Sequence, residues 1–390
     1  MKFSCTKENL LRGLNVISRI TTKNINLPIL NNVLINIQNK NLKLQTTNLE
    51  IFITCNIRAK IEDEGSFTMP AKLLNDFINL LPEERIDLEL INNDLIKIEC
   101  KNYKTKIKGI GSSEFPLTPQ ITEENRFKIK VKDFNKMIEQ VIMAVSPNET
   151  RPELAGVFVK FNHSENKITA AATDSYRLAE KKIAILEGEK VTNERKIIIP
   201  SKTMQEVSRI ISLLSQIPES PDFMEIILGE NQILFVYDNV EILSRLIEGN
   251  YPEYQHIIPG DFKTQIEVNK NELIKAVKVA SLFTQSNLND IHLEISARGG
   301  SRPPASGKET GELKVSSAEN QLGENTNSLD VEVKGENNSI VLNYRYLIDG
   351  LNIMNTEKVK IQMNDDSTPC VIRSVNGEEE YMYLIMPIKL

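Results

Sequence analysis

A helix start that occurs three times in the chain is the feature that most constrains the fold. The three stretches are "MPAKLLNDF" from Met69, "IPSKTMQEV" from Ile199 and "LNYRYLIDG" from Leu342. When they are aligned, one column holds a basic residue in every copy, and the column four residues later holds an acidic residue. The basic residues are Lys72, Lys202 and Arg345, and the acidic residues are Asp76, Glu206 and Asp349. Because residues four apart share a helix face, the pattern predicts three equivalent helices.

A second helix type also occurs in each third of the chain. From Phe3, Phe127 and Ile266 the sequence reads "FSCTKENLLRGL", "FKIKVKDFNKMI" and "IEVNKNELIKAV", with apolar residues at offsets of two, seven and eleven. This pattern is typical of a short strand, a polar start and an amphipathic helix. Because both helix types recur in the same order with similar strand-like flanks, we interpret the thirds as three copies of one domain.

The chain is therefore predicted to form three tandem α+β domains, residues 1–124, 125–259 and 260–390. The boundaries fall in two charged linkers that contain proline, "FPLTPQITEEN" (residues 115–125) and "YPEYQHIIPGDFK" (residues 251–263). Helices are predicted at residues 7–19, 71–81, 132–143, 201–214, 270–282 and 343–354.

One segment, "ARGGSRPPASGKET" (residues 297–310), differs in composition from the sequence around it. Gly, Pro, Arg and Ser dominate it, and it lies between two strand-like runs. This composition favours a disordered insertion in a hairpin loop. A basic arm that binds nucleic acid, with Arg298, Arg302 and Lys308 as its bases, is the alternative for this segment.

The composition excludes several classes of protein. With 40% hydrophobic and 26% charged residues, the chain is typical of soluble globular proteins. It has no apolar run near the ~20 residues of a membrane-spanning helix, and no signal-peptide core, so we expect a cytoplasmic protein without a membrane partner. The four cysteines, Cys5, Cys55, Cys100 and Cys370, are far apart and lack C-x-x-C spacing. They are predicted to be buried thiols and not metal ligands, and no cofactor is expected.

The charges are distributed unevenly along the chain. The net charge is −6, which by itself disfavours a nucleic-acid partner, but the six predicted helices carry 12 Lys and Arg against 7 Asp and Glu. If the helices share one surface, that surface is positive and faces a polyanion. No helix offers a cluster suited to reading bases, so binding should not depend on sequence. The predicted contacts are Arg12, Arg19, Lys72, Lys132, Lys136, Lys202, Arg209, Lys275 and Lys278.

No catalytic site is predicted. The histidines, His163, His256 and His292, are well separated, and the common nucleotide, hydrolase and metalloprotease motifs are absent from the sequence. "ATDSYRLA" (residues 172–179) brings Thr, Asp, Ser, Tyr and Arg together. It is interpreted as two strands joined by a polar turn that Asp174 caps, because no partner base for catalysis can be identified.

The chain resembles the bacterial sliding clamps, the beta subunits of DNA polymerase III, over essentially its whole length. The resemblance is carried by "NLPIL" from Asn26, "ETRPELAGV" from residue 149, "ATDSYRLA", "YPEYQHIIP" from Tyr251 and the terminal "YLIMPIKL". It implies a head-to-tail dimer that forms a ring of six domains, with helices lining the hole and antiparallel sheets outside. Duplex DNA would thread the ring, and the ring would tether the replicative polymerase. A clamp-loading ATPase would open it.

The resemblance also implies site residues. Lys23, Asn24, Arg151 and Pro152 match positions near the duplex. Thr105 and Ile107 match one side of the dimer interface, and Ser281 and Leu282 match the other. A groove for short partner peptides with Leu/Met and Phe anchors is implied at Leu154, Thr173, Ser175, Tyr176, Arg177, Leu178, Pro252, His256, Ile257, Ser367, Pro369, Leu384, Ile385, Met386, Pro387, Ile388, Lys389 and Leu390.

Two questions stay open from the sequence. The run that ends in Met386 is either a final strand with one face in the core or a free apolar lip of the groove, and the lip is the prediction because Pro387 stops ladder pairing. At the level of function, the alternative to a clamp is a tandem-domain interaction scaffold that never encircles DNA. An enzyme is the third possibility.

Overall fold

The computed structural model describes the chain apart from residues 22–25, 93, 123–124, 149, 163–164, 189–193, 285–288, 298–308, 319–322, 376–379 and 390. In this part of the chain, every α-helix follows directly on the last residue of a strand. The helices are α1 (Lys7–Ile17), α2 (Ala71–Leu80), α3 (Val131–Ile142), α4 (Ser201–Leu214), α5 (Lys270–Ser281) and α6 (Tyr344–Ile353). All six predicted helices are thus confirmed, with ends that differ by two residues or fewer.

Strands make up most of the remaining regular structure. In chain order they are β1 (Lys2–Thr6), β2 (Asn32–Gln38), β3 (Asn41–Thr47), β4 (Ile51–Ile57), β5 (Lys60–Asp63), β6 (Gly65–Pro70), β7 (Arg85–Asn92), β8 (Leu95–Cys100), β9 (Tyr103–Lys108), β10 (Ile110–Gly111), β11 (Asn125–Lys130), β12 (Gly156–Asn162), β13 (Lys167–Thr173), β14 (Arg177–Ala184), β15 (Glu187–Gly188), β16 (Arg195–Pro200), β17 (Phe223–Leu228), β18 (Gln232–Tyr237), β19 (Val240–Arg245), β20 (Thr264–Asn269), β21 (Asp290–Ala297), β22 (Glu309–Ser316), β23 (Thr326–Gly335), β24 (Asn338–Asn343), β25 (Lys358–Met363), β26 (Cys370–Ser374) and β27 (Tyr381–Ile385).

The chain divides into two compact units. Unit 1 comprises Met1–Asn135, Ile185–Thr192 and Gln205–Leu246, and unit 2 comprises Lys136–Ala184, Asn193–Met204 and Ile247–Leu390. The predicted central domain contributes strands to both units, because β11, β17, β18 and β19 belong to unit 1, whereas β12, β13, β14 and β16 belong to unit 2. Three repeats therefore give two compact units, and the domain boundaries stay a prediction.

Unit 1 contains two antiparallel sheets. One has the strand order β5-β1-β7-β8-β9, and the other has the order β10-β6-β2-β3-β4-β19-β18-β17-β11-β15. In the second sheet, β4 pairs with β19, and Ile53 lies opposite Ile242. This pair joins a strand of the predicted first domain to a strand of the predicted second domain.

Unit 2 contains one antiparallel sheet of order β16-β12-β13-β14-β27-β26-β25-β20-β23-β22-β21-β24. Here β14 pairs with β27, and Ala179 lies opposite Tyr383. This pair joins the predicted second and third domains in the way that the β4–β19 pair joins the first and second.

The core consists of the apolar columns that the repeat predicted. In α1, Leu10 and Leu14 are fully buried, and Cys5 of the preceding strand is buried as well. The equivalent residues of the other copies, Ile129, Phe134, Ile138, Val268, Leu273 and Val277, are also buried. A strand that alternates and a helix of period 3.6 put these offsets on one face, so burying that face accounts for the repeated pattern.

The predicted insertion needs different bounds. β21 and β22 form a hairpin in which Ala297 lies opposite Gly311, and Glu309 and Thr310 pair with β23. Ala297, Glu309 and Thr310 are therefore strand residues. Residues 298–308, and with them the predicted disorder, lie outside the described residues.

Candidate functional site

An apolar floor lies on one face of the sheet where β14 meets β27. Leu178 lies opposite Leu384 in this pair. Both belong to a buried cluster. Three partly buried side chains of the 251–263 linker and that of Met386 pack against it. The buried members are Phe158, Ala171, Leu178, Tyr254, Val371, Met382 and Leu384, and the packed side chains are Tyr251, Ile258, Phe262 and Met386. The floor is thus apolar and rich in aromatic rings.

The linker is held on this floor by aromatic contacts and a hydrogen bond. The rings of Phe158 and Tyr251 stack with their centroids 5.1 Å apart. The Tyr254 hydroxyl donates to the Glu180 carboxylate over 2.6 Å. Burial raises the pKa of Tyr254, and the negative charge of Glu180 raises it further, so the phenol stays protonated and donates. Next to this anchored stretch, Ile257 leaves 43% of its surface exposed.

A polar turn follows β13 at the edge of the floor. The Asp174 carboxylate accepts hydrogen bonds from the backbone N–H groups of Tyr176 and Arg177, both at 3.0 Å. Ser175, which lies between Asp174 and Tyr176, adopts a positive φ of 79°. The predicted Asp174-capped turn is thereby confirmed. Its consequence is that Tyr176 projects with 64% of its surface exposed.

Arg177 lies on the face of the sheet opposite to the apolar floor, because successive strand residues alternate and the next residue, Leu178, belongs to the floor. Its Nε donates to Asp174 over 2.9 Å, and its Nη1 donates to Asp349 of α6 over 2.7 Å. Its guanidinium carbon also lies 4.4 Å from the centroid of the Tyr346 ring. With two carboxylate partners, Arg177 holds the turn that presents Tyr176. Tyr346 and Asp349 were not predicted at this site, because strand alternation within "ATDSYRLA" does not reveal which helix lies behind it.

The C-terminal segment is not a free lip, which corrects that prediction. The Met386 N–H donates to the Tyr176 carbonyl over 2.8 Å, and the Ile388 N–H donates to the Val341 carbonyl of β24 over 2.9 Å. Pro387 between them has no N–H to donate. Residues 381–385 form β27, and all five are buried. The alternative of a core strand therefore holds for β27, and the segment after it is tied to the turn before β14 and to β24.

The loop before β26 carries two predicted groove residues, Ser367 and Pro369. The Asp365 carboxylate accepts hydrogen bonds from the Ser367 N–H and hydroxyl and from the Thr368 N–H, at 2.8 to 2.9 Å. These bonds, those from Ser367 first, lower the pKa of Asp365 to about 2. The loop thus stays ordered by an ionised carboxylate at neutral pH.

The predicted groove residues that the structure describes all lie in unit 2, but they differ in exposure. Those that are exposed are Ser175, Tyr176, His256, Ile257, Ser367 and Lys389. Those that are partly buried are Arg177, Pro252, Pro369, Met386, Pro387 and Ile388. Those that are buried are Leu154, Thr173, Leu178, Leu384 and Ile385. Ile385 points away from the floor that holds Leu384, since neighbours on a strand alternate. Leu390 lies outside the described residues.

Most predicted DNA contacts are exposed helix residues. Lys72, Lys132, Lys202, Lys275, Lys278 and Arg19 are exposed, as are Arg151 and Pro152, whereas Arg12 and Lys136 are partly buried. Arg12 pairs with Glu8 over 2.7 Å, and Arg151 pairs with Glu153 over 3.1 Å. Lys23 and Asn24 lie outside the described residues.

Arg209 has a structural role that the sequence did not predict. Its Nε donates to Glu206 over 2.8 Å, and its Nη1 and Nη2 donate to the carbonyls of Asn15 and Val16 over 3.1 and 2.6 Å. The last carbonyls of a helix have no partner within it, and Arg209 satisfies two near the end of α1. Arg209 therefore holds the end of α1, and its contact with DNA stays a prediction.

The predicted interface residues lie on exposed edges. β9, which carries Thr105 and Ile107, is the last strand of its sheet. Ser281 is the last residue of α5, and the following Leu282 is 72% exposed. Tyr103 at the start of β9 is also exposed, although it was not predicted.

The described residues contain neither a cluster of three or more His, Cys, Asp or Glu placed to hold a metal ion, nor a helix that is long and apolar enough to cross a membrane. All four cysteines are free and buried. Burial raises the pKa of Cys5, Cys55 and Cys370 to about 12, so these groups stay thiols.

Three family models match the chain one after another. They describe the N-terminal, central and C-terminal domains of the DNA polymerase III beta subunit, and they match residues 1–119, 128–253 and 255–389. The beta sliding clamp of Streptococcus pneumoniae is 30% identical over 99% of both chains, and that of Bacillus subtilis is 28% identical over the full length of both. The crystal structure of the Bacillus subtilis DNA polymerase sliding clamp matches with a TM-score of 0.89 at 26% identity, covering 100% of this chain and 99% of that one. The chain therefore belongs to the family of the DNA polymerase III beta subunit, the bacterial sliding clamps.

Proposed function

We propose that two copies of this chain close head to tail into a ring that encircles duplex DNA and tethers a DNA polymerase to it. The ring would not read sequence and would have no catalytic activity or cofactor of its own. Tethering keeps the polymerase at a high effective concentration near the primer end, which supplies processivity without tight contacts to DNA. Work on chromosomal DNA would place the protein in the cytoplasm.

The observation that carries this proposal is a strand pair that the described part of the chain does not form. The repeat and the observed strand registers put Thr105 in one column with Ile242 and Tyr383. By the same reasoning, Asn325, just before β23, shares a column with Ile53 and Ala179. Ile242 pairs with Ile53, and Tyr383 pairs with Ala179. Among the described residues, the third pair, Thr105 with Asn325, is not formed, and β9 lies at the edge of its sheet.

Side-chain exposure supports the same conclusion. Residues that are exposed in one copy of the repeat are buried, or in the case of Ile353 partly buried, in the copies whose neighbouring repeat lies in the same chain. Tyr103 is 53% exposed, whereas Val240 and Tyr381 in its column are 0% and 3% exposed. Val279 is 41% exposed, whereas Val16 and Gln140 are 0% and 1% exposed. Leu80 is 81% exposed, whereas Ile210 is 0% exposed. Exposed apolar residues in such columns are accounted for if a second chain covers them. A heterologous interface of this kind yields a ring when the rotation closes.

Basic helix residues support passage of DNA through such a ring. Exposed lysines recur on α2, α3, α4 and α5, and they share these helices with acids such as Asp76, Asp133 and Glu272. Mixed charge gives weak phosphate contacts, which would let the ring slide. The loops around Lys23, Asn24, Arg151 and Pro152 would add contacts near the duplex.

The floor between β14 and β27 would bind the polymerase. Its apolar surface, with Tyr176 and Ile257 exposed beside it, suits a short peptide with Leu/Met and Phe anchors. Exposed aromatic and apolar residues at the rim of a buried apolar cluster are typical of binding hot spots. Other partner proteins and the clamp-loading ATPase would use the same groove through similar peptide motifs.

The test compares retention on closed and open DNA. The protein is loaded onto nicked circular DNA with a clamp loader, and half of the sample is linearised with a restriction enzyme before gel filtration. A ring stays on the circle and leaves the linear DNA through its ends. An interaction scaffold that does not encircle DNA would elute in the same way from both forms, and this result would contradict the proposal.

A further inference from the structure

In the first and second repeats, the end of the first helix receives a hydrogen bond from the repeat that follows it. In unit 1, Arg209 of α4 donates to the carbonyl of Val16 in α1. In unit 2, the Tyr381 hydroxyl of β27 donates over 3.1 Å to the carbonyl of Gln140 in α3. Val16 and Gln140 occupy the same column, since Lys7 and Val131 begin their helices. Two different donors thus satisfy one repeated acceptor near the end of a helix.

The third copy of this acceptor is the carbonyl of Val279 in α5, because Lys270 begins that helix. Among the described residues, this carbonyl accepts a bond from the Leu282 N–H over 3.2 Å. A carbonyl oxygen has two lone pairs, so it can accept a second bond. The repeat that would follow α5 is the first repeat of another copy of the chain, if the proposed closure is correct.

The first repeat contains the donor of one junction and lacks the donor of the other. The column of Arg209 holds Asn79 in α2 and Asn352 in α6. The asparagine side chain is much shorter than that of arginine. The column of Tyr381 holds Tyr103, whereas in the second repeat it holds Val240, which has no donor. The missing junction therefore has the same two residue types, Tyr and Asn, as the junction in unit 2. At that junction the tyrosine donates the bond.

The orientation of β9 agrees with this assignment. Ile107 is buried and Thr105 is partly buried, whereas Lys104, Lys106 and Lys108 are exposed. Side chains alternate along a strand, so Tyr103 shares the face of Ile107. Tyr381 likewise shares its face with Tyr383 and Ile385, the face that meets helices in unit 2.

We propose that the Tyr103 hydroxyl donates a hydrogen bond to the main-chain carbonyl of Val279 of the partner subunit. This inference rests on the proposed ring. It assigns to Tyr103 the role of a specificity-determining contact, because only a correctly registered β9 brings the hydroxyl to the end of the partner's α5. The ring has two such interfaces, so closure forms two of these bonds.

Tyr103→Phe tests the bond, since it removes one oxygen atom and keeps the ring. A net hydrogen bond of typical strength changes an equilibrium constant about fivefold, so losing two should weaken dimerisation about 25-fold. The measurement is the dimer dissociation constant by sedimentation of diluted samples. Urea unfolding at a fixed concentration of monomer should not change, because Tyr103 is exposed in the single chain.

Two control variants make the result specific. Tyr381→Phe removes the equivalent bond within the chain, so it should lower the free energy of unfolding and leave the dimer dissociation constant unchanged. Asn79→Ala should leave both unchanged. If Tyr103→Phe dimerises within about twofold of the wild-type protein, the hydrogen bond is refuted, although the ring is not. If the wild-type protein is monomeric and leaves circular and linear DNA equally, the proposed function fails and this inference fails with it.

Discussion

At the residue scale, Arg177, a predicted groove residue, also has a structural role, because it binds the carboxylates of Asp174 and Asp349. The Asp174 side chain is 7% exposed, and its polar partners are Arg177 and backbone N–H groups. Arg177→Ala should lower the free energy of unfolding by about 2 kcal/mol, because it leaves a buried carboxylate without its guanidinium partner. Urea unfolding measures this effect. Arg345→Ala is the matched control, since Arg345 is exposed, and equal unfolding curves for the two variants would contradict the account.

The DNA contacts make a second prediction at this scale. Lys23→Ala combined with Arg151→Ala should weaken loading and DNA binding, with the larger effect at low salt. Each phosphate contact that is lost should reduce the slope of log affinity against log salt by about 0.9. Fluorescence anisotropy on duplex DNA at several salt concentrations measures both quantities. Lys314→Ala, an exposed strand residue, is the control, and unchanged binding by the double variant at low salt would count against these contacts.

Residues whose role depends on local periodicity could be predicted from the sequence. The columns that contain Leu10, Phe134 and Leu273 follow from the helix period, and all three residues are buried. Arg209 could not be assigned in this way, because its partners at Asn15 and Val16 are distant in sequence. A basic residue on a helix looks the same in sequence whether it meets a phosphate or a backbone carbonyl.

At the element scale, the C-terminal segment after β27 has the clearest consequence. Removing residues 386–390 takes away Met386, which packs on the apolar floor, and the bond from Ile388 to β24. We expect binding of polymerase tail peptides to fall about thirtyfold or more, which is the effect of losing a hot-spot anchor. Anisotropy with a labelled peptide measures the affinity, and sedimentation shows whether the dimer persists.

The control for the truncation is Lys389→Ala, because Lys389 is exposed and follows the last described backbone bond of the segment. This variant should bind peptide normally. Undiminished peptide binding by the truncated protein would exclude the segment from the groove. Loss of the dimer or of the fold would show that the segment acts mainly as structure for β14 and β24.

The hairpin of β21 and β22 carries the prediction about the insertion. Replacing residues 298–308 by a short Gly-containing turn keeps the pair of Ala297 with Gly311. Loop length has a small effect on stability, so the free energy of unfolding should change by less than about 0.5 kcal/mol, and the dimer should be unaffected. Chemical unfolding measures the change. A loss above about 2 kcal/mol would show that the segment packs on unit 2.

Elements were predicted more accurately than their pairing. Each helix follows a strand within a few residues, and periodicity and the repeat are enough to locate both. The pairing of β4 with β19 and of β14 with β27 links residues that are far apart in the chain, and their spacing contains no signal for it. The sequence predicted three domains from the repeat, but it did not predict that the central repeat divides its strands between two compact units.

At the scale of the whole molecule, the proposed ring depends on an interface between two copies of the chain. Thr105 and Asn325 would lie opposite each other in neighbouring subunits, and opposite residues in antiparallel strands are close enough for a disulfide. A protein with Thr105→Cys and Asn325→Cys should therefore form covalent rings on oxidation. The four native cysteines are buried and should not interfere.

The most direct test loads this double-cysteine protein onto nicked circular DNA, oxidises it and adds sodium dodecyl sulfate. Covalent rings should stay linked to the circle under denaturing conditions, and they should be released when the DNA is linearised or the disulfides are reduced. Native-cysteine protein treated in the same way should be released at once. Covalent dimers that leave circular and linear DNA equally would contradict the claim that the chain closes around DNA.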